Sequence, residues 1–198
     1  MNKTIKKALF VIDVQPDFID GALANPRAAK KVPNIVAKIK AHDGLCFATH
    51  DTHFNKLQVE SNWPPEQGIA YEESYEHTFG GLPAHCIKLT PGWEIEPTVL
   101  AALQEKNKDG QKKFFAVDKY TFGYKKWEEY LKFFDFDEIE ICGFVSSICV
   151  LANAIILRAI YPNMRIVVDV NCIEDISDEG QAAAIACLKA QQIDVIGE

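Results

Sequence analysis

Six short runs rich in apolar and β-branched residues alternate with stretches of helical periodicity, and this alternation limits the fold more than any other feature. The runs lie at residues 7–14, 45–49, 114–117, 139–142, 165–170 and 193–196. Several are apolar at consecutive positions, as in Ala8-Leu9-Phe10-Val11-Ile12, so both faces of such a strand need covering. Between them, residues 28–40 place Val32, Ile35, Val36 and Ile39 on one stripe, with Pro33 near the start of the regular part. Residues 125–134 carry Trp127, Tyr130, Leu131 and Phe134, and residues 148–160 are apolar nearly all round, as in a central helix. Ser177 caps a last helix over 178–191, whose first turn carries Asp178 and Glu179. The expected fold is a three-layer α/β/α sandwich, Rossmann-like, on a six-stranded and mainly parallel sheet. Residues 1–198 are read as one domain, long enough to bury a core without disulfides or structural zinc.

A net charge of −7 with no basic run argues against a nucleic-acid partner. No stretch approaches the roughly 20 apolar residues that a membrane span requires. The basic start is followed by only five apolar residues before Asp13, too few for a secretory h-region. Six cysteines, at 46, 86, 142, 149, 172 and 187, form no CxxC pair. That usage fits reduced thiols in a cytoplasmic protein and offers no resolving partner for thiol redox work.

Open α/β sheets bind ligands beyond the carboxyl ends of their strands. The rule selects Asp13 after the first run, Asp51 and His53 after the second, Lys119 after the third and residues 143–149 after the fourth. Cys149 is expected in the first turn of a helix, where free N–H groups and the helix dipole favour a thiolate. Lys119 would lower its pKa further, and Asp13 would carry protons to and from the reacting groups. Taken singly, each residue is ordinary: a packed cysteine, a surface lysine, a turn-forming aspartate. Together a thiol, a cation and a carboxylate meet the requirements for attack on an amide carbon, with backbone N–H groups of the same turn holding the oxyanion. Asp51 and His53, with His85, also offer three donors of the type that Zn²⁺, Fe²⁺ or Mn²⁺ accepts. Residues 53–92 are otherwise irregular, with Trp63-Pro64-Pro65, Gly80-Gly81 and Pro83, and so long a loop usually has a function.

Five stretches in order carry a family resemblance: residues 8–18, Thr49-His50-Asp51-Thr52-His53, Leu82-Pro83-Ala84-His85-Cys86, Lys119-Tyr120-Thr121-Phe122 and residues 143–150. The chain resembles the isochorismatase-like superfamily of cysteine hydrolases, on the nicotinamidase and pyrazinamidase side. The resemblance implies Cys149 as nucleophile, Asp13 as general acid and base, Lys119 as charge stabiliser, and the backbone amides of Val145 and Cys149 as the oxyanion hole beside a cis Phe144–Val145 peptide. Isochorismatases proper lack the cysteine, so Cys149 points away from that activity. The resemblance also implies a divalent metal, zinc first with iron or manganese as alternatives, on Asp51, His53 and His85. A further ligand from the loop is expected at Glu76, with His77 second. Phe18, Gln15, Leu82 and Tyr120 are the expected substrate-binding residues, although many nicotinamidases have Trp where this chain has Leu82. His42 and His50 are read as having no ligand role. The implied activity is hydrolysis of nicotinamide, then of another small amide, carbamoyl or ureido compound, in a homo-oligomer; a non-catalytic binding subunit is the remaining alternative.

Overall fold

A computed structural model describes residues 6–55, 57–58, 61 and 82–198 of the chain. The strands are β1 (Lys7–Ile12), β2 (Leu45–Asp51), β3 (Phe114–Lys119), β4 (Glu138–Phe144), β5 (Arg165–Glu174) and β6 (Asp194–Ile196). They form one sheet in the order β3-β2-β1-β4-β5-β6, and all five pairings are parallel. The sheet is therefore wholly rather than mainly parallel. The helices are α1 (Pro26–Ala29), α2 (Val32–Ala41), α3 (Pro97–Gln104), α4 (Trp127–Leu131), α5 (Leu151–Ile160) and α6 (Asp178–Ala190).

Side-chain alternation along β1 explains the layers. Ala8, Phe10 and Ile12 enter a core with Trp127 and Leu131 of α4, Leu157 of α5 and Leu188 of α6. Leu9 and Val11 point the other way, among Ile35 and Ile39 of α2 and Val99 and Leu103 of α3. Phe47 anchors the first layer, with its ring 5.1 Å from Phe10 and 5.0 Å from Phe134.

Several boundaries differ from the sequence expectation. The first strand ends at Ile12 rather than residue 14, because Asp13 turns out of it at φ 47°. The single helix expected over 28–40 is two, broken between Ala29 and Val32 and each with a proline in its first turn. Helix α3 has no counterpart in the sequence reading. Its eight residues are too few for a clear period, but Glu96 caps it by accepting from the Val99 N–H, and Pro97 starts it. The expected Ser177 cap is present, accepting from the Gly180 N–H at 3.0 Å. Most consequential is the helix expected over 148–160. It begins with a π turn, Ser146–Val150, and is α-helical from Leu151.

From β1 the chain runs outward through β2 and β3, then returns to place β4 on the other side of β1. Strands β1 and β4 thus border the switch point where a crevice opens in such sheets. Gly143 sits there at φ 120°, and a Cβ on it would fall 2.0 Å from the Ile12 carbonyl oxygen. Only glycine lets the two strand ends approach so closely.

At the opposite edge, buried Glu138 of β4 ties three strands together, with Lys7 of β1 at 2.8 Å and Arg165 of β5 at 2.8 Å. Burial works to raise its pKa, but Lys7 and Arg165 together hold the carboxyl below its ordinary value. A carboxylate depressed in this way contributes stability that is complete above its unfolded pKa of about 4.3 and is lost as the pH falls through the folded value. Urea titrations from pH 6 to pH 3 are expected to show a shallower acid-side loss of stability for Glu138→Gln than for the parent chain. Parallel pH curves would show that the tie is not formed.

Candidate active site

The carboxyl ends of β1 to β4 bring Asp13, Asp51, Lys119 and Cys149 into one buried cluster. Asp13 is turned inward by its left-handed backbone and held by Thr49 of the neighbouring strand: its N–H donates to Thr49 Oγ1 at 3.0 Å, and the Thr49 hydroxyl donates to Asp13 Oδ1 at 2.5 Å. Lys119, the last residue of β3, is 1 % exposed. Its Nζ lies 2.7 Å from Asp13 Oδ2, 3.1 Å from Asp51 Oδ1, 3.1 Å from the Thr121 carbonyl and 3.6 Å from Cys149 Sγ.

The electrostatics follow from that packing. Burial works to lower the Lys119 pKa, yet the charges of Asp13, Asp51 and Cys149 hold it well above its ordinary value, so it stays an ammonium. Burial raises Asp13, and the Asp51 carboxylate adds to this against the pull of Lys119 and Thr49. Asp13 is thereby suited to holding a proton. Asp51 goes the other way: burial opposes ionisation, but Lys119, His53 and His85 carry its carboxyl well below the usual range. Two carboxylates in one site are driven apart by their partners. For Cys149 the expectation of a lowered pKa does not hold in the protein alone. Burial pushes the thiol well up, with Asp13 and Asp51 adding to it, and Lys119 only partly offsets the rise.

Cys149 lies in the π turn rather than in the first turn of an α-helix. Cys149 lines a cavity of about 310 Å³ whose walls also include Phe18, Leu82, Phe122 and Ile148, with Asp51 and His85. No lysine or arginine is among the described residues that line it. The Phe144–Val145 peptide is cis. The Ile148 and Val150 N–H groups both donate to the Val145 carbonyl, and the Ser147 N–H donates to Asp175 Oδ2 at 2.7 Å. A larger cavity, about 720 Å³, opens at the amino-terminal edge of the sheet beside Lys7, His42 and Lys113, and none of the catalytic candidates lines it.

Asp51, His53 and His85 form the candidate metal centre, with one donor atom from each lying within 4.8 Å of the others. Asp51 Oδ2 is 3.2 Å from His53 Nε2 and 3.3 Å from His85 Nε2. His85 is oriented by its other ring nitrogen, 2.7 Å from the Pro83 carbonyl oxygen. A proton on Nδ1 leaves the Nε2 lone pair directed at the cluster, the arrangement that metal-bound histidines use. One carboxylate and two imidazoles, so oriented, fit a divalent ion of the zinc type. Glu76 and His77 lie outside the described residues, as do Trp63 and Tyr71. His50 stacks on Trp93 at 4.6 Å and faces Asp118 at 3.4 Å, away from the cluster.

Of the expected substrate-binding residues, Phe18 and Leu82 line the cavity. Gln15 and Tyr120 do not. Tyr120 packs against Phe54, with ring centroids 5.8 Å apart. Gln15 is fully buried and its amide is spent on backbone: Oε1 accepts from the Asp51 N–H at 2.8 Å, and Nε2 donates to the carbonyls of Asp51 at 3.0 Å and Trp93 at 2.6 Å. It clamps the Asp51 backbone. Thr49, Asp175 and Asn153 also support the site and were not singled out in the sequence. A Thr inside a strand or an Asn inside an apolar helix has no local pattern that marks it.

A family model, the isochorismatase domain, matches residues 7–197. The chain belongs to the isochorismatase family. Among solved structures, the nicotinamidase/pyrazinamidase of Bacillus subtilis is 24 % identical, with a TM-score of 0.73 over 98 % of this chain and 100 % of that one. The pyrazinamidase/nicotinamidase of Streptococcus mutans is 24 % identical, with a TM-score of 0.75 over 96 % of this chain and 100 % of that one. The pyrazinamidase of Pyrococcus horikoshii, solved in complex with zinc, is 22 % identical, with a TM-score of 0.68 over 98 % of this chain and 99 % of that one. The parallel sheet and its helices are thus those of the isochorismatase-like fold. No curated protein matches the chain by sequence. No helix among the described residues is long and apolar enough to cross a membrane.

Replacing Gln15 by Met keeps the volume and removes every hydrogen bond of the Asp51 clamp. Leaving buried backbone groups unpaired costs about 1–3 kcal/mol each. Gln15→Met is therefore expected to lower the unfolding free energy by at least about 2 kcal/mol in urea. A loss below about 0.5 kcal/mol, the range of an ordinary surface change, would show that the clamp contributes little.

Proposed function

We infer that the chain is a cysteine amidohydrolase acting on a small, neutral amide, with nicotinamide as the first substrate. One observation carries the reading. Lys119 Nζ is 2.7 Å from the Asp13 carboxylate and 3.6 Å from the Cys149 sulfur, and Cys149 lines a largely apolar cavity of about 310 Å³. A flat ring suits such walls.

On this reading Asp13 accepts the Cys149 proton as the sulfur attacks the amide carbon. The carbonyl electrons move to oxygen, which the backbone amides of Val145 and Cys149 receive. The C–N bond then breaks with its electron pair going to nitrogen, which takes the proton from Asp13 and leaves as ammonia. A thioester remains on Cys149. Asp13 next takes a proton from water as its oxygen adds to the thioester carbon, and collapse expels the sulfur, which recovers the proton as the acid departs. Throughout, the Lys119 ammonium offsets negative charge on Asp13 and on sulfur without giving up a proton. Asp51, His53 and His85 are the residues that would hold a divalent metal, zinc by preference. When bound, that ion supplies a Lewis-acidic anchor for a ring nitrogen. The reaction delivers the acid and ammonia, a step that serves pyridine-nucleotide salvage in the cytoplasm.

Three experiments test this reading. In a small-amide panel followed by ammonia release, nicotinamide and pyrazinamide are expected to be turned over faster than other small amides, carbamoyl or ureido compounds. Cys149→Ala is expected to lower turnover by about 10³-fold or more, as loss of a nucleophile does, while leaving thermal stability close to that of the parent. Undiminished turnover in that variant excludes Cys149 as nucleophile. Chelator treatment is expected to remove metal and activity together, with Zn²⁺, Mn²⁺ or Fe²⁺ restoring both. Full activity in protein shown to be metal-free by elemental analysis rules out a catalytic role for the ion.

A further inference from the structure

Asn153 lies in the first turn of α5, among apolar neighbours on both sides, and it is fully buried. Asparagine is a poor helix former, because its amide competes for backbone groups. Here the amide is used on both sides. Its Oδ1 accepts from the Tyr124 N–H at 3.0 Å and from Trp127 Nε1 at 2.8 Å. Its Nδ2 donates to the Phe122 carbonyl at 3.1 Å and to the Cys149 carbonyl at 2.8 Å.

These four bonds join two parts of the chain that the backbone does not otherwise hold together at this point. One is the π turn carrying the candidate nucleophile. The other is the turn after β3, whose Thr121 carbonyl accepts from the Lys119 ammonium and whose Phe122 side chain forms a wall of the cavity. Strand β3 is the sheet's edge and β4 lies beyond β2 and β1, so the sheet itself places no ladder between these ends. The lysine-to-sulfur separation of 3.6 Å is therefore spanned by side chains. Asn153 bonds to the main chain on both sides of that gap.

We propose that Asn153 is a positioning residue that fixes Cys149 and its π turn against the Lys119–Tyr124 segment, and so sets the reactivity of the sulfur. This rests on the reading of Cys149 as nucleophile. Asn153 touches neither substrate nor sulfur; it acts through the Cys149 carbonyl and the Phe122 and Tyr124 backbone.

Asn153→Asp tests the link selectively. It keeps the oxygen that Tyr124 and Trp127 need and replaces the donor to Cys149 and Phe122 by a second oxygen, which repels both carbonyls. Three readouts are taken on the full-length protein: nicotinamide kcat and KM, the rate of Cys149 alkylation by iodoacetamide resolved by peptide mapping, and the melting temperature. The expected result is a drop of about tenfold or more in kcat with KM within about twofold, the pattern of lost transition-state positioning. The alkylation rate should fall in parallel. As the pH is lowered, protonation of the new carboxyl restores a donor, so the variant-to-parent ratio of alkylation rates should rise. If only the melting temperature falls, with kcat and alkylation unchanged, Asn153 is a structural residue and the proposal is overturned. Should Asn153→Asp not fold, Asn153→Ser is measured in the same way, and unchanged kcat and alkylation there overturn it equally. Cys149→Ala in parallel separates the failures: if it stays active, the nucleophile reading is wrong; if it is inactive while the Asn153 variants react normally, only the positioning role is wrong.

Discussion

The buried ammonium of Lys119 is the interaction on which the site depends. Withdrawing a charge from water costs several kcal/mol even after relaxation, and the cost is offset only by close opposite charge and complete hydrogen bonding. Lys119 obtains both from Asp13, Asp51 and the Thr121 carbonyl. The dependence is mutual. Without the ammonium, two carboxylates and a thiol would share a desolvated space with no counter-charge, and one or more would have to protonate or move into water. The pKa directions express this balance: Asp51 is held ionised, Asp13 is raised and Lys119 stays charged.

Asp51 couples that cluster to the candidate metal centre. One carboxylate oxygen faces Lys119, and the other faces His53 and His85. The backbone of the same residue is gripped by Gln15 on both sides. A metal bound on one side of Asp51 would therefore be felt electrostatically by the ammonium on the other. The elements of the fold that matter most here are correspondingly small: a left-handed turn at Asp13, a glycine that admits a close strand approach, and a π turn beneath the sulfur. Each re-aims a group at a strand end, where the regular ladder stops dictating direction.

Much of the architecture was legible before any coordinates. Apolar residues at consecutive positions in β1 require cover on both faces, and alternation with helices requires parallel strands. The strand-end rule then brings Asp13, Lys119 and Cys149 to one rim. Short or interrupted elements were not legible. Helix α3 offers too few turns for a period to show, and the break before α2 falls at Lys30 and Lys31, where no side-chain cap marks it. Gln15 shows a second kind of information that local sequence does not carry. Its position beside Asp13 and near Phe18 suggests a ligand contact, but its amide has three backbone partners, two of them on a residue 36 positions away and the third on Trp93. Nothing in the local sequence distinguishes these uses.

The order of residues along the chain therefore settles the class of fold, the rim where chemistry can occur and the kinds of group that reach it, because periodicity and strand ends are local properties. The state and aim of those groups are decided by the folded chain. The raised Cys149 thiol, the opposite shifts of Asp13 and Asp51, and the bonds from Asn153 to the Tyr124 and Phe122 backbone all arise between residues remote in sequence. Desolvation and Coulomb energy depend on distances in space, and these exist only once the sheet has brought its strand ends together.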